Sequence, residues 1–493
     1  MPNEQSGNIA PTTRLSTGIA GLDEILDGGL VPKRTYLVRG GPGTGKSTLG
    51  LHFLTSGARA GEKVLFVTMG EPEEQVRQNA TAMGFDLKGV EFLDLAPTPE
   101  FFSEQGAYDI FSPAEVERGP ITEKITQAVE RLSPSRVFVD SATQFRYLIA
   151  DAFQYRKQML SLARYLTVQG ATFVLSSEGT EETPDDDLQF LCDGVFNLRF
   201  DPQGRVVAVS KFRGSDFQGG YNSLNLTQRG MEVFPRLVPG KSSREFVVEA
   251  VPFGVAELDR LLHGGIERGT STIISGPAGV GKTSLGVQFV REAASRGERS
   301  VVYTFEENED SILRRSEGIN MHLRSFIEKG TLCVTQVEPL RCSPDEFAHM
   351  VRDEVENNDA RTIMVDSVSG YRLSLLGRDL AGHLHALCRY LEDMGVTLIL
   401  VNEVESISGE FRATEIGISH LVDNILFLRY VEVEGQLRRT IGVLKKRNGN
   451  FDKTLREFEI TGHGIKIGEK LSLLGGILGG MGYIRALLGG KAR

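Results

Sequence analysis

Two glycine-rich segments of the sequence have residue types and a spacing that could hold the phosphates of a nucleotide. They read GGPGTGKS over residues 40–47 and GPAGVGKT over residues 276–283. The glycines let backbone N–H groups converge on an anion, the helix that follows adds a positive field, and the lysine neutralises the outer phosphates. The serine or threonine after the lysine can coordinate Mg²⁺. The pattern therefore predicts binding of a nucleoside triphosphate with Mg²⁺.

A chance glycine-rich turn could explain one such match, but two matches in register with each other exclude it. Each segment follows a predicted strand and opens a predicted helix, which is the context that the motif requires. The predicted nucleotide-binding residues are Gly41, Gly43, Thr44, Gly45, Lys46, Ser47, Thr48, Gly279, Val280, Gly281, Lys282, Thr283 and Ser284.

An aspartate ends one apolar run in each half of the chain. Asp140 ends RVFVD, Asp366 ends TIMVD, and a serine follows each of them. A carboxylate at the carboxyl end of a buried strand, beside a phosphate loop, can hold hydrated Mg²⁺. The alternative is a strand-ending aspartate in an ordinary turn. The predicted metal ligands are Ser47, Thr283, Asp140 and Asp366.

Carboxylates also follow an earlier strand in each half. Hydrolysis of a phosphoanhydride needs a carboxylate that orients and deprotonates water near the terminal phosphate. The second half has two adjacent candidates, Glu306 and Glu307, whereas the first half has Glu71 alone, with Gly70 before it. We predict these three glutamates as catalytic residues. Acids that merely face solvent are the alternative, and it carries more weight for Glu71.

Pairs of cations close the last predicted strand of each half. Strand alternation places Lys211 with Arg213, and Lys445 with Arg447, on one face. A solvated sheet edge and a functional site are equally consistent with this pattern, because sequence order alone does not bring the pairs near the phosphate loops.

These landmarks recur at nearly one offset, which indicates a duplicated domain. Lys46 and Lys282 lie 236 residues apart, and so do Glu71 and Glu307. The period is close to half of the 493-residue chain, which excludes a solenoid of short repeats. We predict an N-terminal domain over 1–238, a C-terminal domain over 239–468, and a flexible tail rich in glycine and leucine over 469–493.

Within each copy, short β-branched runs alternate with helical periods. The runs, such as VLFVT and VTLILVNE, are apolar almost throughout, as expected of parallel strands buried between helices. The last two runs of each copy are close enough in sequence to form a hairpin. We therefore predict an α/β fold with two tandem domains, each a mostly parallel sheet flanked by helices.

The composition narrows the function classes. The net charge of −10 and the absence of tryptophan give little support to general binding of nucleic acid. Four cysteines without a CxxC pair indicate a reducing compartment. No run of about 18 apolar residues predicts a membrane span. We expect a soluble, cytoplasmic protein.

The tandem phosphate loops, the FEE run at 305–307, the two Asp-Ser pairs and the two K-x-R strand ends resemble the KaiC family, a branch of the RecA-like ATPases. The resemblance covers residues 15–465. It implies ATP as the nucleotide and a homohexameric double ring with ATP between neighbours. It also implies that Lys211, Arg213, Lys445 and Arg447 act in trans on the ATP of the adjacent subunit.

Two departures from the family's pattern affect the expected activities. Gly70 replaces the first glutamate of the family's pair, so the second copy should carry most of the hydrolysis. Family members that keep time phosphorylate themselves on a Ser-Thr pair, and the matching positions are Ser419 and His420. We predict phosphorylation at Ser419, with a residue that simply starts a turn or helix as the alternative.

The resulting hypothesis is a hexameric ATPase, dependent on Mg²⁺, with autokinase activity, that works as a slow signalling or timing switch. Regulatory or signalling proteins that bind the rings or the tail are the expected partners besides the protein itself. The alternatives are a RecA-like recombinase or helicase acting on DNA, and a scaffold in which occupancy by ATP rather than its turnover carries the signal.

Overall fold

The computed structural model divides the chain into two compact units, Met1–Arg236 and Leu237–Arg493. The residues that the structure describes are 13–96, 113–149, 151–179, 185–202, 204–240, 242–377, 379–404, 418–433, 435–471, 474–475 and 483–484.

The first unit alternates strands and helices. Its strands are β1 Thr35–Arg39, β2 Val64–Thr68, β3 Val90–Asp94, β4 Arg136–Asp140, β5 Thr172–Ser177, β6 Gly194–Asp201, β7 Gly204–Phe212, β8 Asn222–Thr227 and β9 Gly230–Phe234. Its helices are α1 Ala20–Ile25, α2 Lys46–Arg59, α3 Glu73–Ala82, α4 Pro113–Leu132, α5 Ala142–Leu148, α6 Ala152–Val168 and α7 Asp186–Leu191.

The second unit repeats this order. Its strands are β10 Ala250–Val251, β11 Ile266–Glu267, β12 Ser271–Gly276, β13 Ser300–Thr304, β14 Leu332–Gln336, β15 Thr362–Asp366, β16 Thr397–Glu403, β17 Asn424–Val433, β18 Gln436–Lys446, β19 Arg456–Thr461, β20 Gly464–Lys470, β21 Leu474–Gly475 and β22 Tyr483–Ile484. Its helices are α8 Ala256–Leu261, α9 Lys282–Ser295, α10 Glu309–Glu317, α11 Arg324–Glu328, α12 Pro344–Glu356, α13 Val368–Ser374 and α14 Leu380–Asp393, and a 3₁₀ turn covers Ile418–His420.

Both units contain a nine-stranded sheet with the same topology. The first sheet has the order β3-β2-β4-β5-β1-β6-β7-β8-β9, and the second has β14-β13-β15-β16-β12-β17-β18-β19-β20. Pairing is parallel from β3 to β6 and antiparallel from β6 to β9. The predicted α/β fold is confirmed, including the mixed sheet, since β6 with β7 and β17 with β18 form the expected hairpins.

Each large sheet has a hydrophobic core on both faces. Tyr36 and Val38 of β1 pack with α2 and α3, whereas Leu37 between them packs on the opposite face with α4, α5 and α6. Strands covered on both sides cannot alternate apolar with polar residues, which explains the continuous apolar runs. The same arrangement in the second unit places α9 and α10 on one face and α12, α13 and α14 on the other.

The sheets position the residues of interest at one edge. The phosphate loops follow β1 and β12, the glutamates follow β2 and β13, and the aspartates end β4 and β15. These strands all belong to the parallel part of each sheet, so their carboxyl ends lie at one edge, and ligands of open α/β sheets bind there. Most of the predicted tail, 469–493, lies outside the described residues.

Candidate nucleotide sites

The first phosphate loop joins β1 to α2. Gly45 precedes the helix with φ of 105°. An ideal Cβ on Gly45 would lie 2.8 Å from Cε of Met231, so both the backbone angle and the packing select glycine. The Nζ of Lys46 donates to the carbonyl oxygens of Gly40 and Gly41 at 2.9 and 3.0 Å. The lysine therefore folds over the loop, where phosphate oxygens would be its ligands.

The second phosphate loop has the same form between β12 and α9. Gly281 has φ of 111°, and its ideal Cβ would lie 2.6 Å from Cδ1 of Ile460. The Nζ of Lys282 donates to the carbonyl oxygen of Pro277 at 2.9 Å and lies 3.7 Å from a carboxylate oxygen of Glu403. Burial lowers the pKa of Lys282, as it does that of Lys46, while nearby carboxylates act in the opposite direction.

The other residues predicted for the two loops form their walls. The Oγ1 of Thr44 donates to the carbonyl oxygen of Gly41 at 2.8 Å, which closes the first loop on itself. Val280 is fully buried, and its side chain packs in the hydrophobic core. Thr48 and Ser284 are buried in the first turn of the helices, while Gly43 and Gly279 take positive φ of 71° and 73°.

A hydroxyl and a carboxylate meet beside each loop. The Oγ of Ser47 donates to Oδ2 of Asp140 at 2.5 Å, and Thr283 makes the equivalent hydrogen bond to Asp366. Among the described residues, no cluster of three or more histidine, cysteine, aspartate or glutamate side chains could enclose a metal ion. One carboxylate and one hydroxyl fit Mg²⁺, which prefers oxygen ligands and takes the rest from water and nucleotide phosphates.

The surroundings of Asp366 favour a cation there. Burial raises its pKa to about 6, the hydrogen bond from Thr283 lowers it, Glu306 and Glu307 raise it, and Arg315 lowers it. A carboxylate that is buried next to two other acids gains from a neighbouring positive charge. Such a cation would offset both the burial and the repulsion from the glutamates that raise the pKa of Asp366.

The second copy has an acid that lines the same cavity as its phosphate loop. The Oγ of Ser367 donates to Oε1 of Glu306 at 2.6 Å, so the residue after the metal-site aspartate fixes this carboxylate. Glu307 is engaged elsewhere, in a 2.5 Å ion pair with Arg315. Of the two predicted acids, Glu306 is therefore the one that forms no ion pair within the described part of the chain.

The first copy lacks a counterpart of Glu306. Thr68 donates through its hydroxyl to the carbonyl oxygen of Glu71, and Thr304 makes the same bond to Glu307. Glu71 therefore stands at the place of Glu307, and Gly70 at that of Glu306. The side chain of Glu71 accepts a long 3.5 Å hydrogen bond from Asn79.

Each set of residues lines one cavity. The first cavity, of about 690 Å³, is lined by Lys46, Ser47, Asp140, Gly70 and Glu71 among others. The second, of about 560 Å³, is lined by Lys282, Thr283, Asp366, Glu306 and Glu307 among others. Both volumes lie in the range of sites for nucleotide-sized ligands.

Comparison with known proteins agrees with this geometry. The family model described as the KaiC ATPase matches the chain twice, over residues 15–238 and 251–472. The chain belongs to the KaiC family of ATPases. As a member of that family, it binds ATP.

Named relatives match nearly the whole length of this KaiC-family protein. Circadian clock protein KaiC3 of Synechocystis sp. is 29% identical over 483 residues, which cover 95% of this chain and 94% of the relative. Circadian clock oscillator protein KaiC of Synechococcus elongatus is 28% identical over 478 residues, with coverage of 94% and 90%. The protein of the same name from Acaryochloris marina is 27% identical over 492 residues, with coverage of 96% and 92%.

The four predicted trans-acting cations of this KaiC-family protein do not line the cavities of their own chain. The Nζ of Lys211 donates to the carbonyl oxygens of Gln189 and Phe190 at 2.8 and 3.1 Å. Arg213 is exposed, with a carboxylate oxygen of Asp193 at 3.9 Å. The segment that precedes β6 holds these cations at the end of β7, beside the amino ends of β1 and β6 and away from the edge that carries the phosphate loop.

The second copy repeats this arrangement at the end of β18. The Nζ of Lys445 donates to the carbonyl oxygens of Ser419 and Val422 at 3.1 and 2.5 Å, and Arg447 pairs with Asp423 at 3.1 Å. Ser419 lies in the 3₁₀ turn and is half-buried. In both copies, burial and the adjacent arginine lower the pKa of the lysine.

Two pairs of site residues were missed by the sequence reasoning. Glu178 directly follows β5 and lines the first cavity, and Glu403 ends β16 and lines the second. The sequence did contain a signal for these glutamates, because they occupy equivalent positions in the two copies. Arg205 and Arg439, on β7 and β18, also reach the loops: the Nε of Arg205 donates to the carbonyl oxygen of Gly43 at 2.9 Å, and Arg439 lines the second cavity. Only the folded hairpins bring these arginines to loops far away in sequence.

The helices add one finding. Among the residues that the structure describes, no helix combines the length and the apolar character needed to cross a membrane.

Proposed function

We propose that this protein hydrolyses ATP with Mg²⁺ mainly in its second copy, within a homohexameric double ring, and that it phosphorylates itself on Ser419. The observation that supports unequal hydrolysis in the two copies is the position of the Glu306 carboxylate. It accepts a 2.6 Å hydrogen bond from Oγ of Ser367 and lines the cavity that contains the second phosphate loop. Glu306 would orient the attacking water and accept its proton. The first copy, with Gly70 at that place, would serve mainly to bind ATP and stabilise the ring.

Assembly is part of the proposal because the cations at the ends of β7 and β18 do not line the cavities of their own chain. Arg213 and Arg447 are both more than half exposed, which leaves them available to a neighbour. A cation that reaches the phosphates across an interface commonly raises the rate of hydrolysis about 10³-fold or more. Such a cation also couples each site to the geometry of the ring.

A mixing experiment tests the trans role. Lys282→Ala, which lacks the second phosphate loop's cation, and Arg447→Ala should each lose most ATP turnover. Mixed rings should recover on the order of a quarter of the wild-type rate, because one interface in four then pairs an intact loop with an intact arginine. The control mixes Lys282→Ala with the double variant Lys282→Ala/Arg447→Ala. No interface is restored there, because neither chain has an intact second phosphate loop. Mixed hexamers that stay inactive would contradict action in trans.

The place of Ser419 supports autokinase activity. Its carbonyl oxygen accepts from Lys445, the cation proposed to reach the neighbour's ATP. In the first copy, Gln189 and Phe190 take this place beside Lys211, so a hydroxyl is present only in the second copy. The γ-phosphoryl group would pass to Oγ of Ser419, while Glu306 of the neighbour takes the hydroxyl proton.

Mass spectrometry after incubation with Mg·ATP tests this assignment. We expect one phosphate on the peptide that contains Ser419, and none on that peptide in Ser419→Ala. A wild-type protein that hydrolyses ATP but carries no phosphate there would contradict the autokinase and leave the ATPase in place. The names of the relatives refer to circadian clocks, and we propose a slow, nucleotide-driven signalling or timing switch in the cytoplasm, read by regulatory proteins.

A further inference from the structure

The two copies exchange a glycine and a polar side chain across the catalytic cavity. In the second copy, Glu306 follows β13, and Gly370 lies in α13, four residues after Asp366. In the first copy, Gly70 takes the place of Glu306, and Gln144 lies in α5, four residues after Asp140. The carboxylate and the amide thus come from opposite walls of equivalent cavities.

Distances show that the side chains of Gln144 and Glu306 reach equivalent regions of the two cavities. An ideal Cβ on Gly70 would lie 3.7 Å from Nε2 of Gln144, the one heavy atom within 4 Å among the described residues beyond its two chain neighbours. An ideal Cβ on Gly370 would lie 3.7 Å from Oε1 of Glu306. The polar end of each side chain therefore lies in contact distance of the glycine that replaces its counterpart.

Packing makes the exchange consistent in each copy. A Cβ on Gly370 would lie 2.4 Å from Cβ of Phe305, so the second copy has no room for a side chain on α13. The open space at Gly70 leaves room for the amide of Gln144, which is half-buried and lines the cavity with Lys46 and Asp140.

We propose that the side-chain amide of Gln144 holds the attacking water in the first copy, in place of the missing glutamate. This inference rests on the proposed function, in which that copy binds Mg·ATP. An amide can donate to and accept from a water molecule, and a glutamine that orients water is a known solution in nucleotide hydrolysis. Glu71 does not take this role, because it stands at the place of Glu307.

The reaction balances without a base at this position. The water oxygen forms a bond to the γ-phosphorus, the bond from that phosphorus to the β–γ bridging oxygen breaks, and its electron pair stays on ADP. An amide does not accept the water proton, so the proton passes to an oxygen of the departing phosphate. The first copy therefore hydrolyses ATP more slowly than the second, and Gln144 adds no pH dependence between pH 5 and 8.

The test measures single-turnover hydrolysis in full-length Glu306→Ala, which suppresses the second copy. Adding Lys46→Ala to this parent identifies the remaining turnover as that of the first copy. Gln144→Ala in the parent should lower this turnover on the order of 10-fold to 100-fold, with the Kd of a non-hydrolysable ATP analogue unchanged within about twofold. Gln144→Glu should restore turnover and give it an acid limb that the parent lacks. Gln154→Ala, an exposed glutamine on α6, is the matched control and should behave as the parent.

The outcomes distinguish a failure of the role of Gln144 from a failure of the proposed function of the first copy. Turnover that survives Gln144→Ala, or a parent that binds ATP at the first loop without hydrolysing it, overturns the role of Gln144 and leaves the ATPase assignment standing. A parent in which Lys46→Ala changes neither ATP binding nor turnover overturns the proposed function of the first copy, and the role of Gln144 with it.

Discussion

Neutralising Glu403 should strengthen ATP binding to the second copy. Its carboxylate lies 3.7 Å from the Nζ of Lys282, the group that must turn to the phosphates. Glu403→Gln removes this competing charge and also removes repulsion of the anionic ligand. We therefore expect a lower Kd for Mg·ATP at this copy.

The size of the effect follows from the geometry. Two unit charges 3.7 Å apart interact by about 4.5 kcal/mol at an effective dielectric constant of about 20. The side chain of Glu403 is 47% exposed, so water and salt screen most of this energy. Exposed pairs contribute at most about 1 kcal/mol, which corresponds to about fivefold tighter binding.

The assay is a titration with a non-hydrolysable ATP analogue and Mg²⁺ in a Lys46→Ala background, where only the second loop binds. The gain should shrink as ionic strength rises. Glu178→Gln, measured in Lys282→Ala, is the matched comparison. It should give a smaller gain, because Glu178 raises the pKa of Lys46 without forming an ion pair with it in the described part of the chain, whereas Glu403 pairs with Lys282. Weaker binding by Glu403→Gln would refute the reasoning and make Glu403 a contact of the nucleotide.

Two further predictions concern stability and the shape of the loop. Burial, with Arg59 nearby, lowers the pKa of His52 from 6.5 to about 4. As the pH falls, the unfolded chain therefore takes up the proton first, and the free energy of unfolding of the first unit should fall by about 2 kcal/mol between pH 7 and pH 5. His52→Gln should remove this dependence, measured by hydrogen exchange of peptides from the first unit, and an unchanged dependence would contradict it. Gly281 has φ of 111°, and a Cβ there would lie 2.6 Å from Ile460, so Gly281→Ala should distort the second phosphate loop. The amount of ATP analogue bound should fall from two molecules per chain to one. In the control Gly462→Ala, the new Cβ meets nothing within 4 Å, and both molecules should still bind.

The repeat made most of the fold predictable from sequence. Apolar runs in register, such as those that end at Asp140 and Asp366, indicated parallel strands because only strands covered on both faces lack alternation. The offset of 236 residues between Lys46 and Lys282 placed one phosphate loop in each unit. Hairpin pairing of the last runs followed from the short connection between them.

The contacts inside each site were not predictable in the same way. Ser367 follows a conspicuous aspartate, yet its bond to Glu306 joins residues 61 positions apart and depends on the paths of two loops. Gln144 looked like any polar residue of a helix until Gly70 was placed opposite it. Motifs record residues that are close in sequence, whereas these partners meet only because neighbouring parallel strands end at one edge.

The unequal chemistry of the two copies is tested most directly by steady-state ATP turnover of Glu306→Gln and Glu71→Gln, measured side by side with their hexamer content. Glu306→Gln should lose most turnover, by about 10²-fold or more in the second copy, because its amide orients water without accepting a proton. Glu71→Gln should keep most of the wild-type rate. If Glu71→Gln abolishes turnover while Glu306→Gln leaves it intact, the division of labour between the copies is wrong.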